Sequence, residues 1–558
     1  MCGIAGIVGN AQTADVKKMT DAIKHRGPDG EGIYKFDHCI LGHRRLSIVD
    51  LDTGDQPMLS ADKKKAIVFN GEIYGFRKIR STLVQYPFKT NSDTEVILAL
   101  YEKYGETLFE HLPGMFALAL WDEEKQELLC GRDRFGEKPF YYAITAKGNF
   151  IFASEIKAIL ATGLIEPVLS SDSVVHYLQH LYVHPRQTIY KNIFTLPPAH
   201  YLRFSKGAYN INRYWNLPKT DTAISLNEAT EVFRDLFEQS VKDQLVADVP
   251  VGAFLSGGLD SSLVVAVASK FKQHIKTISF GFGNEINELP YAKLIADNYK
   301  TEHIEIQQPV PDLSDLLMTM QEVYDEPFAD SSNIPTYLIA KAASEQLKVV
   351  LTGDGGDELL GGYSFWYRHL VNIENANAFT GYKKILLPYV ARVAQKAGNQ
   401  YFPFLKQQQK LLVKNDRRVH SLHAEQNTYF NQLQLQQLGL STEINTGNNY
   451  SFDFGNSVSD AMKMDIENYM PGDILVKTDR ASMSNSLELR APFLDKALAE
   501  FCISLPYSLK LNYKEEKLIA KQAFGNMLPS AIKKRHKQGF GAPVSRWLKT
   551  VALQQLKK

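Results

Sequence analysis

The chain changes its rhythm once, across the polar stretch NLPKTDTAIS from Asn216 to Ser225, which is interrupted by Pro218 and matches no period. Up to about Phe204 it reads as short strands: CGIAGIVG, HCILGHRRLSIVD, KKAIVFNGEIY, GMFALALWD, ELLCGRDRFG and NFIFASE. Their β-branched content and Gly/Asp punctuation favour sheet. Two segments there carry helical spacing, VKKMTDAIKH and SDTEVILALYEKYG, the second with Ser92 or Asp93 as its cap. After the stretch, NEATEVFRDLFEQSVKDQLV has the apolar spacing of a helix. Strands and helices then alternate through VPVGAFLS, LVVAVASKF, IKTISFGF, YAKLIADNY, HIEI, IPTYLIAKAASE and KVVLTGD. Such alternation predicts a parallel sheet with helices on its faces. The expected organisation is an α+β layered domain over 1–215 and an α/β domain over 226–558, joined where the rhythm changes. The Gln-, Asn- and Lys-rich stretch from about Phe365 to Phe454 is expected to be helical decoration.

With 558 residues the chain can build cores large enough to need no cross-links. Its net charge of +1 gives no reason to expect nucleic acid or an anionic membrane as partner. The four cysteines, Cys2, Cys39, Cys130 and Cys502, have no metal-ligand spacing and suggest no disulfide framework. There is no apolar run of membrane-spanning length, and Asp15, Lys17 and Lys18 interrupt any secretory signal. A cytoplasmic location is expected.

The opening MCGIAGIVG raises the chemistry. Removal of Met1 would leave Cys2 with a free amine beside its thiol. The amine's reference pKa of about 8 lies just below the thiol's of about 8.5, so it can take the thiol's proton directly or through a water. The thiolate is the nucleophile. The plain alternative is a small buried hydrophobe. Attack on an amide needs donors for the oxyanion, and FNGEIY offers the Asn70 side chain and the Gly71 N–H, although Asn-Gly is also a common hairpin turn. A free amino-acid substrate needs a cation and an anion as well. Arg45 in HRRLSIVD and Asp93 in NSDTEV could serve.

Farther on, FLSGGLDSS lies between an apolar strand and a helix-like run. Ser256, Gly257, Gly258 and Ser261 read as a phosphate cradle, with Asp260 among them, although a Gly/Ser turn between strand and helix is also structurally ordinary; the spacing is not that of the lysine-bearing P-loop. A second loop, KVVLTGDGGDELLGGY, puts Asp354, Asp357 and Glu358 beyond another strand. Calcium is excluded by ligand spacing. Carboxylates facing phosphates suggest Mg²⁺, with Asp260 and Asp357 as its ligands.

MCGIAGIVG, HRGPDG, RLSIVD, FNGEIY, SDTEV and GRDRFG, in that order, resemble the class II, N-terminal-nucleophile glutamine amidotransferases. SGGLDSS, TGDGGDE, YDEPFADSSNIPTYL, DILVKTDRASM, LELRAPFLD and KQGFGAP resemble the synthetase domain of asparagine synthetases, of the ATP pyrophosphatase group. The chain is identified as a member of the glutamine-hydrolysing asparagine synthetases of bacterial B type. The fold implied is an N-terminal-nucleophile glutaminase sandwich followed by a Rossmann-like ATP pyrophosphatase domain. The resemblance implies that Cys2 forms a glutamyl thioester and releases ammonia, with Asn70 and Gly71 as oxyanion hole. Arg45, Leu46, Ser47, Ile48, Val49, Asn70, Gly71, Glu72 and Asp93 would hold glutamine. It also implies that ATP activates the aspartate side chain as an acyl adenylate, which ammonia then attacks. Leu255, Phe280, Thr352 and Gly353 would contact ATP along with the cradle, and Lys517 would offset negative charge, although by itself it reads as a solvated helical lysine.

The sequence departs from the family pattern at Gly75, where Asn is usual after GEIY, and at Asp354, where the resemblance implies a catalytic acid promoting adenylation and amide formation that is usually Glu. Free ammonia is mostly protonated in neutral water, so a water-poor tunnel between the two sites is expected. Two alternatives stay open: amidation of another carboxylate, such as a uronic-acid sugar of a surface polysaccharide, and a non-catalytic metabolite-binding protein. The β-lactam-forming relatives lack the N-terminal cysteine and are disfavoured. Family members are often homodimers.

Overall fold

A computed structural model describes residues 1–221, 223–281, 288–307, 313–377, 423–424, 426–440, 457–535 and 549. Of the helical decoration expected over 365–454, the described residues form the helices Ser364–Asn377 and Gln432–Gln437. The remainder, and the KQGFGAP motif, lie outside the described residues.

The first strands are β1 (Gly3–Val8), β2 (Gly30–Lys35), β3 (Cys39–Arg45), β4 (Met58–Leu59), β5 (Lys65–Glu72) and β6 (Met115–Asp122). They are followed by β7 (Glu127–Arg132), β8 (Tyr141–Ile144), β9 (Phe150–Ala153), β10 (Phe194–Thr195), β11 (His200–Ser205) and β12 (Ala208–Arg213). These twelve strands form two six-stranded sheets, in the orders β10-β8-β9-β1-β3-β2 and β12-β11-β7-β6-β5-β4. Strand β1 shows why its sequence is apolar throughout. Ile4 and Val8 enter the core between the sheets, with Val68, Ala119 and Trp121, whereas Ala5 and Ile7 pack outward against Val16 and Met19 of the helix Thr13–Ala22. Alternate side chains take opposite faces, and both faces are covered. On the outer face of the other sheet, Ile67 and Phe69 pack with Val96, Ile97 and Leu100 of the helix Asp93–Tyr104.

Three more helices occur here than the periodicity predicts: Phe76–Ser81, Ile156–Leu160 and Ser171–His180. The first two span six and five residues, too few to display a period. The third starts at Ser170, whose hydroxyl accepts the Ser173 N–H. The RLSIVD end of the predicted second strand is loop after Arg45.

The helix Leu226–Gln244 precedes β13 (Val251–Phe254), β14 (Lys276–Gly281), β15 (Glu302–Gln307), β16 (Val349–Leu351) and β17 (Glu488–Arg490). All neighbours in this sheet are parallel, in the order β15-β14-β13-β16-β17. The chain leaves β13 toward β14 and β15, then returns on its other side as β16. The crevice between the carboxyl ends of β13 and β16 is therefore the switch point of the sheet, where such folds bind ligands.

Candidate active sites

At the first site the Cys2 N–H donates to Asn70 Oδ1 at 2.9 Å. Asn70 is fully buried, and its Nδ2 has no hydrogen-bond partner among the described residues. A buried donor left open next to a thiol is what an oxyanion requires. Asn70-Gly71 is not a hairpin turn: both residues lie within β5, opposite Ala117 and Phe116 of β6. A Cβ at position 71 would collide with the Met115 carbonyl, so only glycine lets the strands approach here.

Burial pushes the Cys2 thiol up, while the chain's terminal ammonium, the Leu46 N–H and the Arg45 charge pull it back. The terminal ammonium belongs to Met1, which is itself buried and ion-paired with Glu488 of β17. Arg26, from HRGPDG, holds the Cys2 carbonyl through Nε at 3.2 Å and clasps Asp479, from TDRASM, at 2.9 and 3.0 Å.

The residues expected around glutamine are distributed as follows. Arg45 donates to the carbonyls of Asp50 and Leu51 at 2.5 and 3.2 Å and to Asp55 at 2.7 Å. The Asp55 side chain is 83% exposed, so a ligand carboxylate can replace so weak a partner. Asp93 sits in the first turn of its helix, while Ser92 is the cap. The Asp93 carboxylate accepts the Ile73 N–H at 3.0 Å, and burial raises it to about 6. Glu72 is buried and bonded to Arg490 of β17 at 3.0 Å. Leu46 and Ile48 put their side chains into an apolar cluster shared with Met1 and the second domain, against which Val49 also packs. The Ile48 carbonyl is taken by the Asp248 N–H at 2.9 Å. Ser47 turns to Asp29, its N–H donating at 2.8 Å. From 46–49, the Leu46 backbone is what the structure brings to the thiol.

The second site is a cavity of about 520 Å³ at the switch point. Leu255, Ser256, Gly258, Asp260 and Ser261, after β13, line it together with Phe280, Thr352, Gly353, Asp354 and Asp357. Gly257 lies behind this wall, with φ of 69° and its Cα against Tyr291, a conformation and a fit that suit glycine alone. Gly258 precedes the helix Leu259–Phe271, which directs its amino end at the cavity.

Lys517 is no solvated lysine. It is 3% exposed and lies between Asp260 and Asp357, 2.6 Å from the latter; against burial, the two carboxylates hold its ammonium above the usual range. The pair assigned to Mg²⁺ is thus brought together around a cation. Two carboxylates from neighbouring loops facing a cavity are a donor set that fits Mg²⁺ once phosphate oxygens complete it. Asp354 accepts the Thr352 hydroxyl at 2.8 Å. Lys477 binds Asp330 at 2.6 Å and Ser332 at 2.8 Å in the same cavity.

Between the two sites lies a gap of about 20 Å³ lined by Met1, Glu137, Lys138, Leu475, Asp479 and Ala491. Thr352, Asp354, Thr478 and Leu489 line both the gap and the larger cavity. The gap has room for one water-sized molecule.

Glu488, Arg490, Arg26 and Asp479 carry the junction, and no role was assigned to them from sequence. Their signal was there in part, since all four lie in motifs quoted for the resemblance. The comparisons with known proteins agree with that resemblance. Residues 1–215 match the glutamine amidotransferase domain family and residues 232–558 the asparagine synthase family. The chain is 34% identical to glutamine-hydrolyzing asparagine synthetase 1 of Bacillus subtilis (strain 168), across 98% of this chain and 88% of that protein. It is 39% identical to a putative glutamine-hydrolyzing asparagine synthetase 2 of Methanocaldococcus jannaschii, across 65% of this chain and 76% of that one. With glutamine-hydrolyzing asparagine synthetase 3 of B. subtilis the identity is 30%, across 100% and 90%.

Proposed function

Because the chain belongs to the asparagine synthase family, with a glutamine amidotransferase domain in front, we propose that it makes asparagine from aspartate, glutamine and ATP. The observation that carries this reading is that Asp354 lines both the cavity at the sheet's switch point and the gap leading to the N-terminal site.

At the N-terminal site, removal of Met1 frees the Cys2 amine to take the thiol's proton, and the thiolate attacks the side-chain amide carbonyl of glutamine. Asn70 Nδ2 and the Gly71 N–H receive the charge that develops on oxygen. Asp93 pairs with the substrate ammonium and Arg45 with its carboxylate. The proton taken by the amine passes to the amide nitrogen, and collapse of the tetrahedral species expels ammonia and leaves a glutamyl thioester for water to cleave.

At the switch point, the cradle after β13 and the amino end of its helix bind the phosphates. The aspartate side-chain carboxylate attacks the α-phosphorus and pyrophosphate leaves, with Lys517 offsetting its charge. Mg²⁺ held by Asp260 and Asp357 would add charge neutralisation on the phosphate oxygens. Ammonia arriving past Met1's position then attacks the acyl carbon beside Asp354 and displaces AMP.

The test is pyrophosphate release from ATP with glutamine present, comparing aspartate with sugar acids as acceptor. Stimulation by aspartate alone, with asparagine as product, is the expected result. Release driven by a uronic acid and not by aspartate would overturn the assignment.

A further inference from the structure

Glu137 lines the gap and has no part in the reaction above. Asp133 folds its loop by accepting the N–H groups of Phe135, Gly136, Glu137 and Lys138 at distances of 2.7 to 3.1 Å, which fixes where the Glu137 side chain leaves the backbone. The residue is 7% exposed and its remaining opening is into the gap. Among the described residues no group donates a hydrogen bond to its carboxyl and no cation lies within ion-pair distance; the adjacent Lys138 ammonium turns to Asp479 at 3.9 Å. What its carboxyl meets is therefore whatever occupies the gap, since polar groups this far inside a protein are nearly always paired.

We propose that Glu137 is a positioning residue, a hydrogen-bonding station that receives the ammonia released at Cys2 and hands it to the site beside Asp354. The inference rests on the functional reading above. Glu137 lines the gap between the two sites, which measures about 20 Å³ with Met1 in place and widens when Met1 is removed. The titratable and charged groups around it are Asp133 and Lys138 from its own loop, Tyr74 after β5, and Asp354, Asp479 and Asp495 from the second domain. Burial, followed by the Asp133 charge, pushes its carboxyl well above the ordinary carboxylate range. A neutral carboxyl offers its O–H to the lone pair of ammonia and its carbonyl oxygen to an N–H. A carboxylate would instead retain ammonium, which has no lone pair with which to attack an acyl carbon. Burial opposes that charge separation.

The experiment measures the ratio of asparagine to glutamate formed, from neutral to alkaline pH, with saturating glutamine, aspartate and ATP. The wild-type ratio is expected to fall as rising pH ionises the carboxyl. Glu137→Gln keeps a donor and an acceptor and cannot ionise, so its ratio should stay flat. Glu137→Ile should lower the ratio several-fold at every pH, with ammonium-driven pyrophosphate release as the check that the synthetase is folded. An Ile variant with the wild-type ratio and profile overturns the inference. Should that variant not fold, the Gln variant decides: a ratio falling with pH as in the wild type overturns it equally. A wild type that hydrolyses glutamine and never yields asparagine would overturn the functional reading, and this inference with it.

Discussion

The guanidinium of Arg490 meets the carboxylate of Glu72 at 3.0 Å, with both residues buried, and the Arg490 carbonyl accepts the Thr352 N–H at 2.8 Å. One residue of β17 thus touches β5 of the N-terminal domain with its side chain and the loop after β16 with its backbone. Its other N–H groups reach Glu488 at 2.6 Å and the carbonyls of Gln244 and Val246 at 2.8 and 2.7 Å. Against burial, the terminal ammonium and Arg490 hold the Glu488 carboxyl at about 2.

Removing one partner of such a network leaves buried charge uncompensated, which typically costs about 3–5 kcal/mol. Arg490→Met is therefore expected to lower the unfolding free energy by about that amount in a denaturant titration. Adding Glu72→Gln should recover part of the loss. A single variant as stable as the wild type would show that the pair carries no weight.

Asn70→Ala removes the open Nδ2 donor. Loss of one oxyanion donor lowers kcat by about 10²–10³ in comparable sites, and that is the effect expected on glutamine hydrolysis. Asparagine formation from ammonium does not pass through this donor, so its rate is the control.

Asp93 sets a pH limb. Burial raises it from 3.8 to about 6, so the folded chain takes up a proton between those values that the unfolded chain does not. Lowering pH through this window adds stability from this group, while the neutral acid can no longer pair with the ammonium of glutamine. The kcat/KM for glutamine hydrolysis should fall below a pH of about 6. Asp93→Asn should start low and lack that limb.

Much of this was legible because it is local. The alternation from VPVGAFLS to KVVLTGD gives β13, β14, β15 and β16 and places both ligand loops at strand ends. Asn70, Asp93 and Lys517 could be singled out by motif. Strand β17 could not be read, since three residues display no period and its partner, β16, ends at Leu351, far back in the chain. The clasp of Arg26 on Asp479 is equally invisible, because the two lie 453 positions apart and only the folded chain brings them together. Glu137 is a surface-type residue in a charged stretch; only the fold of the Asp133 loop buries it.

Substitution at Lys517, which holds Asp260 and Asp357, can separate the two proposed half-reactions. Lys517→Met is expected to abolish aspartate-dependent pyrophosphate release and to leave glutamine hydrolysis running. A chelator should act in the same way if Asp260 and Asp357 hold Mg²⁺ with ATP. Equal loss of both activities would mean that the residue's role is structural.

In the proposed reaction nitrogen passes inside the protein from Cys2 to the site beside Asp354. The direct measurement supplies glutamine carrying heavy nitrogen in its side-chain amide, together with a large excess of ordinary ammonium in the buffer, and reads the isotope in the asparagine formed. Asparagine carrying mainly the heavy label, despite the excess, is the predicted result. Asparagine labelled only in proportion to the mixed ammonia pool would contradict it.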